Sequence, residues 1–145
     1  MLSQDFREFI QSLNANDVRY LIIGGYAVAL HGHPRYTKDL DVWVDVTEEN
    51  ATRLIAALRQ FGFGSLDLKP DDFLASGQVI QLGYPPNRID LVTSADGVEF
   101  ADCYATRVTV DLDNVSVHFI SLDGLKRNKK ASGRSQDLAD LDALD

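Results

Sequence analysis

A short apolar strand that runs directly into two glycines restricts the folds open to this chain. The first strand is predicted over residues 18–23, and its last three residues are all apolar. Gly24 and Gly25 follow at once, and residues 26–31 can form a short helix. Glycine lets backbone N–H groups come close to an anion, and unpaired N–H groups at a helix start favour a phosphate. The sequence therefore predicts a strand, a glycine turn and a helix that together can hold a phosphate.

A second strand, predicted shortly afterwards, carries two acidic residues on one face. Residues 39–44 alternate like a half-buried strand, so Asp39 and Asp41 point the same way. Two carboxylates at this spacing beside a glycine turn offer oxygen ligands to a hard cation such as Mg²⁺, which also contacts phosphate. Because an Asp-x-Asp pair is common on solvated strand faces, the pair needs support from the rest of the chain.

A third carboxylate lies in a later apolar run. Asp90 stands between Ile89 and Leu91 in a strand predicted over residues 88–93. An unpaired buried carboxylate is costly, so Asp90 is expected to have a cation or a hydrogen-bond donor as its partner. The plain alternative is ordinary strand alternation that leaves Asp90 in solvent.

Apolar periodicity predicts helices and short strands in alternation, with an α+β (α/β mixed) fold. Hairpins are expected over residues 78–93 and 107–120, the second with a turn at Asp113-Asn114. A helix opened by Thr47 is expected to stop at Gly62. The last helix, over residues 135–144, has leucines at positions 138, 141 and 144 on one face. The expected architecture is a mixed sheet of about five strands flanked by helices.

Length and composition indicate one domain over residues 1–145, in the cytoplasm. The chain has one cysteine, Cys103, which suits a reducing compartment and is expected to be a small core residue. Neither a secretory signal nor an apolar run of membrane-spanning length is visible, so no membrane association is expected.

The charge pattern excludes one class of partner and leaves another open. A net charge of −8 argues against a broad nonspecific nucleic-acid surface. Basic residues nevertheless cluster in two places that a triphosphate could use. These are Arg35 and Lys38 ahead of the Asp-x-Asp pair, and Lys126, Arg127, Lys129, Lys130 and Arg134 near the C-terminus.

These motifs follow one another in an order known from one superfamily. The order is Gly24-Gly25, Asp39-Leu40-Asp41, Asp90 on a later strand, and a basic C-terminal helix pair that contains Lys129. In this the chain resembles the DNA-polymerase-β-like nucleotidyltransferases, in the minimal bacterial branch similar to the abortive-infection and toxin–antitoxin (type IV) enzymes. A Ser found in many glycine motifs of that superfamily is absent here, so backbone donors would have to serve alone.

The resemblance implies a fold, a reaction and a metal. It implies the nucleotidyltransferase fold and transfer of an NMP from an NTP to a hydroxyl-bearing acceptor, with release of pyrophosphate. It also implies Mg²⁺, in two ions and replaceable by Mn²⁺, held by Asp39, Asp41 and Asp90. Asp90 would in addition take the proton of the acceptor hydroxyl.

The resemblance assigns nucleotide contacts as well. Backbone amides of Gly24 and Gly25 would hold the β- and γ-phosphates, while Lys129 and Lys38 would offset their charge. For each lysine the plain alternative is a solvated helix or loop position.

Alternatives remain open at this stage. The acceptor could be tRNA or another RNA, a protein or a small molecule, because the site chemistry is common to all of them. A non-catalytic nucleotide-binding module, or an antitoxin-like regulatory subunit with a partner protein, would share the same fold. A purely structural interaction protein is the third possibility, and it predicts that the carboxylates are dispensable.

Overall fold

The computed structural model describes residues 2–32, 39–63, 67–84 and 87–144. Its strands are β1 (Tyr20–Ile23), β2 (Asp39–Val44), β3 (Val79–Leu82), β4 (Arg88–Val92), β5 (Val108–Leu112) and β6 (Val115–Phe119). Its helices are α1 (Gln4–Ala15), α2 (Gly24–Leu30), α3 (Glu48–Phe61), α4 (Phe100–Ala105), α5 (Leu122–Ser132) and α6 (Ser135–Leu144), with a 3₁₀ turn at Pro70–Phe73.

The strands form one mixed sheet in the order β3-β4-β2-β1-β6-β5. β2 lies near its centre, antiparallel to β1 and parallel to β4. The two predicted hairpins are the antiparallel pairs β3–β4 and β5–β6, and β1 is parallel to β6. The predicted α+β fold is thus confirmed, with six strands in the described part of the chain where about five were expected.

Local sequence signals set most element ends. The Thr47 side chain accepts a hydrogen bond from the Asn50 N–H at the start of α3, and Gly62 ends that helix at φ +115°. Asp113 and Asn114 both have positive φ, which suits the two-residue turn of a right-twisted hairpin.

Two predicted boundaries were wrong because contacts across the fold decide them. β1 starts at Tyr20 instead of residue 18, since the chain turns at Asp17 (φ +54°) and the Arg19 N–H donates to Asn50 Oδ1 at 2.7 Å. The same Asn50 side chain donates to the carbonyls of Arg19 and Asp45, which ties β1 to β2. α2 begins at Gly24 instead of residue 26, since this left-handed glycine turns the chain out of β1 with no linker.

Aromatic side chains fill much of the core. Phe9 of α1 meets Phe61 of α3 edge-on, with ring centroids 5.3 Å apart, and Trp43 of β2 meets Phe100 of α4 in the same way at 5.2 Å. Cys103 is buried, as predicted. None of the helices in the described residues has the length and apolar character needed to cross a bilayer.

Candidate functional site

The three predicted carboxylates lie on one face of two neighbouring strands. In the parallel β2–β4 ladder Asp41 is opposite Asp90, and Asp39 is opposite Arg88. Side chains at alternate positions share a face, so all four belong to the same side of the sheet. Asp90 is only 8% exposed, while Asp39 and Asp41 are half-buried. The predicted grouping of the acids across two strands is therefore what the structure contains.

Arg88 is the cation partner that the burial of Asp90 required. Its Nη2 donates to Asp39 Oδ2 at 2.7 Å and to Asp90 Oδ2 at 3.1 Å. Its Nε lies 3.1 Å from Asp90 Oδ1, an ion pair without hydrogen-bond geometry. One guanidinium thus bridges carboxylates on both strands. Sequence reasoning gave Arg88 no role, although its position two residues before Asp90 was a signal that the two side chains share a face.

Asp41 is harder to ionise than an ordinary aspartate. Burial and, after it, the charges of Asp90 and Asp39 raise its pKa to about 6, while the charges of Lys129 and Arg88 act in the opposite direction. An added cation would stabilise the ionised form of Asp41, because it would offset the repulsion from the charges of Asp90 and Asp39.

Gly24 is required by its contact with Asp41. A Cβ built on Gly24 would lie 2.1 Å from Asp41 Oδ2, far inside van der Waals distance, and the backbone there has φ +69°. Both facts favour glycine at this position. The Gly24 turn therefore lies directly beside the carboxylates, while Gly25 is buried within α2.

The residues present fit a hard divalent cation, although they are not yet arranged around one. In the described ranges no three His, Cys, Asp or Glu side chains are gathered as ligands of a single ion. Asp39 and Asp90 are instead bridged by Arg88, which donates hydrogen bonds to one oxygen of each. Two observations favour a cation: the buried Asp90 Oδ1 has an ion pair with Arg88 Nε but no hydrogen bond among the described residues, and the donors are all carboxylates, which Mg²⁺ prefers.

Lys129 occupies a different environment from the one expected of a phosphate ligand. It is 5% exposed, and its Nζ lies 2.9 Å from Asp137 Oδ1 and 3.1 Å from Asp140 Oδ2. Although burial raises the pKa of Asp137, hydrogen bonds from Ser132, Arg134 and Lys129 bring it well below its usual range. Lys129 thus joins α5 to α6 and acts on Asp41 through its charge.

The predicted leucine face of α6 is only partly what the structure contains. Leu141 and Leu144 are half-buried, and Leu144 packs against the core, but Leu138 is 47% exposed and the fully buried side chains are Asp137 and Asp140. The buried ammonium of Lys129 explains the two buried aspartates, because an unpaired charge in that place would be costly. Lys38, the other lysine predicted to contact phosphate, lies outside the described residues.

An open groove of about 940 Å³ is lined by residues of α4, of α5 and of the end of β2. Trp43, two residues after Asp41 on the same face of β2, is part of its wall, but none of the three site carboxylates lines it. Its acidic side chains are Asp45, Asp96, Glu99, Asp102 and Asp123. Within the described ranges its single basic residue is Arg127, which pairs with Asp123 at 3.1 Å. The groove is therefore strongly acidic.

Solved structures of nucleotidyltransferase-like proteins share this fold. An antigenic nucleotidyltransferase-like protein from Paracoccidioides brasiliensis is 22% identical, with a TM-score of 0.54 over 99% of this chain and 77% of its own. A Thermotoga maritima protein, classed provisionally as a nucleotidyltransferase, is 16% identical, with a TM-score of 0.63 over 94% of this chain and 88% of its own. ANT(2″)-Ia in complex with adenylyl-2″-tobramycin is 14% identical, with a TM-score of 0.55 over 96% and 84%. At these identities the likeness concerns the fold alone.

Sequence comparison identifies the family. None of the curated proteins compared with this sequence matches it. A family model described as a nucleotidyltransferase of unknown function does match, and it covers residues 1–145. The chain therefore belongs to this family of nucleotidyltransferases (DUF6036).

Proposed function

We propose that the protein transfers an NMP unit from an NTP to a hydroxyl-bearing acceptor and releases pyrophosphate, with the help of a divalent cation. The observation that carries the proposal is the placement of Asp39, Asp41 and Asp90 on one face of two paired strands, directly beside the Gly24 turn. Membership in a nucleotidyltransferase family supports the reaction class.

The carboxylates would hold Mg²⁺ or Mn²⁺, in one or two ions. When bound, the cation supplies Lewis-acid activation of the acceptor hydroxyl and neutralises charge on the phosphates. Asp90 is our candidate for the base that takes the acceptor proton. This role comes from the resemblance. The candidate oxygen, Asp90 Oδ1, lies 3.1 Å from Arg88 Nε in an ion pair without hydrogen-bond geometry.

The remaining residues would bind the nucleotide. The backbone N–H groups of Gly24 and Gly25 would contact the β- and γ-phosphates, since the missing side chain at Gly24 opens a close approach to the site. Lys129 would act through its charge, because its ammonium is already bonded to Asp137 and Asp140. Lys38 stays a proposed phosphate contact on the strength of the resemblance alone.

The acidic groove bears on the acceptor. A nucleic-acid backbone is repelled by acidic surfaces and needs concentrated Lys and Arg, which the groove does not offer. Among RNA, protein and small-molecule acceptors, we infer that a neutral or cationic protein or small molecule is favoured over RNA. An acceptor that uses the groove would enter along the Trp43 side of the carboxylates.

The test is single-turnover transfer from labelled NTPs in the presence of Mg²⁺. The four NTPs are incubated separately with total RNA, with a protein extract and with amine-bearing small molecules that carry hydroxyls. Wild type should label one acceptor class, EDTA should abolish the label, and Asp41→Asn should not transfer. Equal labelling by wild type and Asp41→Asn would reject the proposed site.

The contact between Arg88 and two of the carboxylates favours a second candidate, a non-catalytic nucleotide-binding module. If the Arg88 bridge to Asp39 and Asp90 persists with nucleotide present, two of the three acids stay engaged and transfer cannot start. An antitoxin-like regulatory subunit with a partner protein belongs to this candidate. It predicts nucleotide binding without transfer to any acceptor class.

A further inference from the structure

Arg88 is bonded to the oxygens that a metal would need. Its guanidinium contacts Asp39 Oδ2 at 2.7 Å and both oxygens of Asp90 at 3.1 Å. Asp39 and Asp90 lie on different strands, so this one side chain holds the two halves of the site together. A planar fork with fixed donors is suited to such a double contact, whereas an ammonium is not.

The charge of Arg88 is permanent in this setting. The hydrogen bond and the charge of Asp90 raise the pKa of Arg88 above its already high value. Its side chain is 30% exposed, so it has a route from the carboxylates into solvent that a fully buried group would lack. The guanidinium can therefore neutralise the carboxylates in the absence of metal and can also leave.

We propose that Arg88 is a resident counter-cation: it keeps the carboxylates in place before a divalent cation enters, then competes with that cation and so sets the metal affinity of the site. This inference rests on the proposed function, because it takes Asp39, Asp41 and Asp90 to be the metal-binding residues. Arg88 is a positioning residue in this scheme, since it acts through the carboxylates.

The competition has two causes: the charge of the guanidinium, and the limited number of lone pairs on each carboxylate oxygen. A cation that joins Asp39 and Asp90 meets a positive guanidinium only a few ångströms away, and unit charges at such distances interact strongly in a partly buried site. Oxygens that accept N–H bonds from Arg88 also have less capacity for metal coordination. The same bonds reduce the repulsion among the three acids when no metal is present.

The experiment measures binding of Mn²⁺ alone, without nucleotide, to wild type, Arg88→Gln and Arg88→Lys. Removing the charge in Arg88→Gln should tighten the Mn²⁺ Kd by at least about tenfold and should lower the Tm in EDTA. Arg88→Lys keeps the charge but loses the fork, so its Mn²⁺ Kd should stay within about threefold of wild type. Arg53→Gln, at an exposed α3 position paired with Glu49, is the matched control and should change neither quantity.

A second measurement needs no variant and applies even if Arg88→Gln does not fold. In the wild-type protein, Mg²⁺ should shift the ¹⁵N resonance of Arg88 Nε and speed exchange of its proton, because Arg88 leaves its contacts with Asp90 and Nε becomes exposed to solvent. An unchanged Arg88 signal at saturating Mg²⁺ would overturn the inference.

Failure of this inference is distinguishable from failure of the proposed function. If wild type binds Mn²⁺ and Arg88→Gln binds it equally or more weakly, Arg88 is a structural support only and the transferase proposal stands. If neither wild type nor Arg88→Gln binds Mn²⁺, the proposed metal site is rejected and the role of Arg88 with it.

Discussion

The Asp41 carboxylate lies where a side chain at position 24 would have to be. A Cβ on Gly24 would come within 2.1 Å of Asp41 Oδ2 and 3.0 Å of its Cγ. These two residues are distant in sequence but adjacent because Ile23, at the end of β1, is opposite Asp41 in the sheet. The glycine turn and the acidic strand are thus parts of one site.

Gly24→Ala should destabilise the protein more than the same substitution at a glycine that also has positive φ but has free space around its Cβ position. Gly77, at φ +80°, has no neighbour within 4 Å of its built Cβ, so Gly77→Ala carries the backbone strain alone. We expect Gly24→Ala to cost about 2 kcal/mol more than Gly77→Ala in urea unfolding, because Asp41 must move.

A double-mutant cycle identifies the cause. Asp41→Ala removes the atoms that collide, so Gly24→Ala should cost less in that background. An equal loss of stability in both backgrounds would show that Gly24→Ala is destabilising because of backbone strain at φ +69°, and not because of Asp41.

Asp41→Asn should change how stability depends on pH in the absence of metal. Burial and the charges of Asp90 and Asp39 raise the Asp41 pKa from 3.8 to about 6. A group with a raised folded-state pKa contributes stability at low pH, and that contribution is lost as the pH rises from about 4 through about 6. Asn cannot ionise and escapes this loss.

The measurement is urea unfolding in EDTA at about pH 4 and about pH 7. When the pH rises from about 4 to about 7, the free energy of unfolding of Asp41→Asn should increase by about 1 to 3 kcal/mol relative to that of wild type. Asp111→Asn, at an exposed position of β5, is the control and should show no such gain. A mutant less stable than wild type at both pH values would make Asp41 a structural hydrogen-bond acceptor.

Asp90→Asn should separate binding from chemistry. Asp90 lies on a different strand from Asp39 and Asp41, so two carboxylates remain to hold a metal–NTP complex. We expect most of the Mg²⁺–NTP affinity to be kept, and single-turnover transfer to fall by at least about 10²-fold, the usual scale for a positioned base. Unchanged transfer would remove Asp90 from the chemistry, and absence of transfer in both proteins would favour the nucleotide-binding module.

Lys129→Met should destabilise the C-terminal helix pair. It would leave the carboxylates of Asp137 and Asp140 buried without their ammonium partner, and breaking such a buried pair costs about 3 to 5 kcal/mol. Lys130→Met, at the exposed neighbouring position of α5, should stay within about 0.5 kcal/mol of wild type. Equal unfolding curves for the two variants would contradict the role given to Lys129.

Short-range patterns in the sequence were sufficient for most of the elements and for which charged residues share a strand face. The period of two along β2 placed Asp39 and Asp41 on one face, and the same rule applies to Arg88 and Asp90 on β4. Thr47, Gly62 and the Asp113-Asn114 turn marked ends that depend on neighbours a few residues away. Such features are predictable because local backbone sterics and hydrogen bonds produce them.

Tertiary structure alone decided the pairing of Arg88 with Asp39 and of Lys129 with Asp137 and Asp140. Arg88 reaches Asp39, 49 positions away, only because β2 and β4 are parallel neighbours, and Asn50 ties β1 to β2 from the first turn of α3. The sequence shows Lys129 in a basic cluster, yet the fold buries it between two aspartates of the next helix. Electrostatic energies depend on distance and burial, which strand order and helix docking determine.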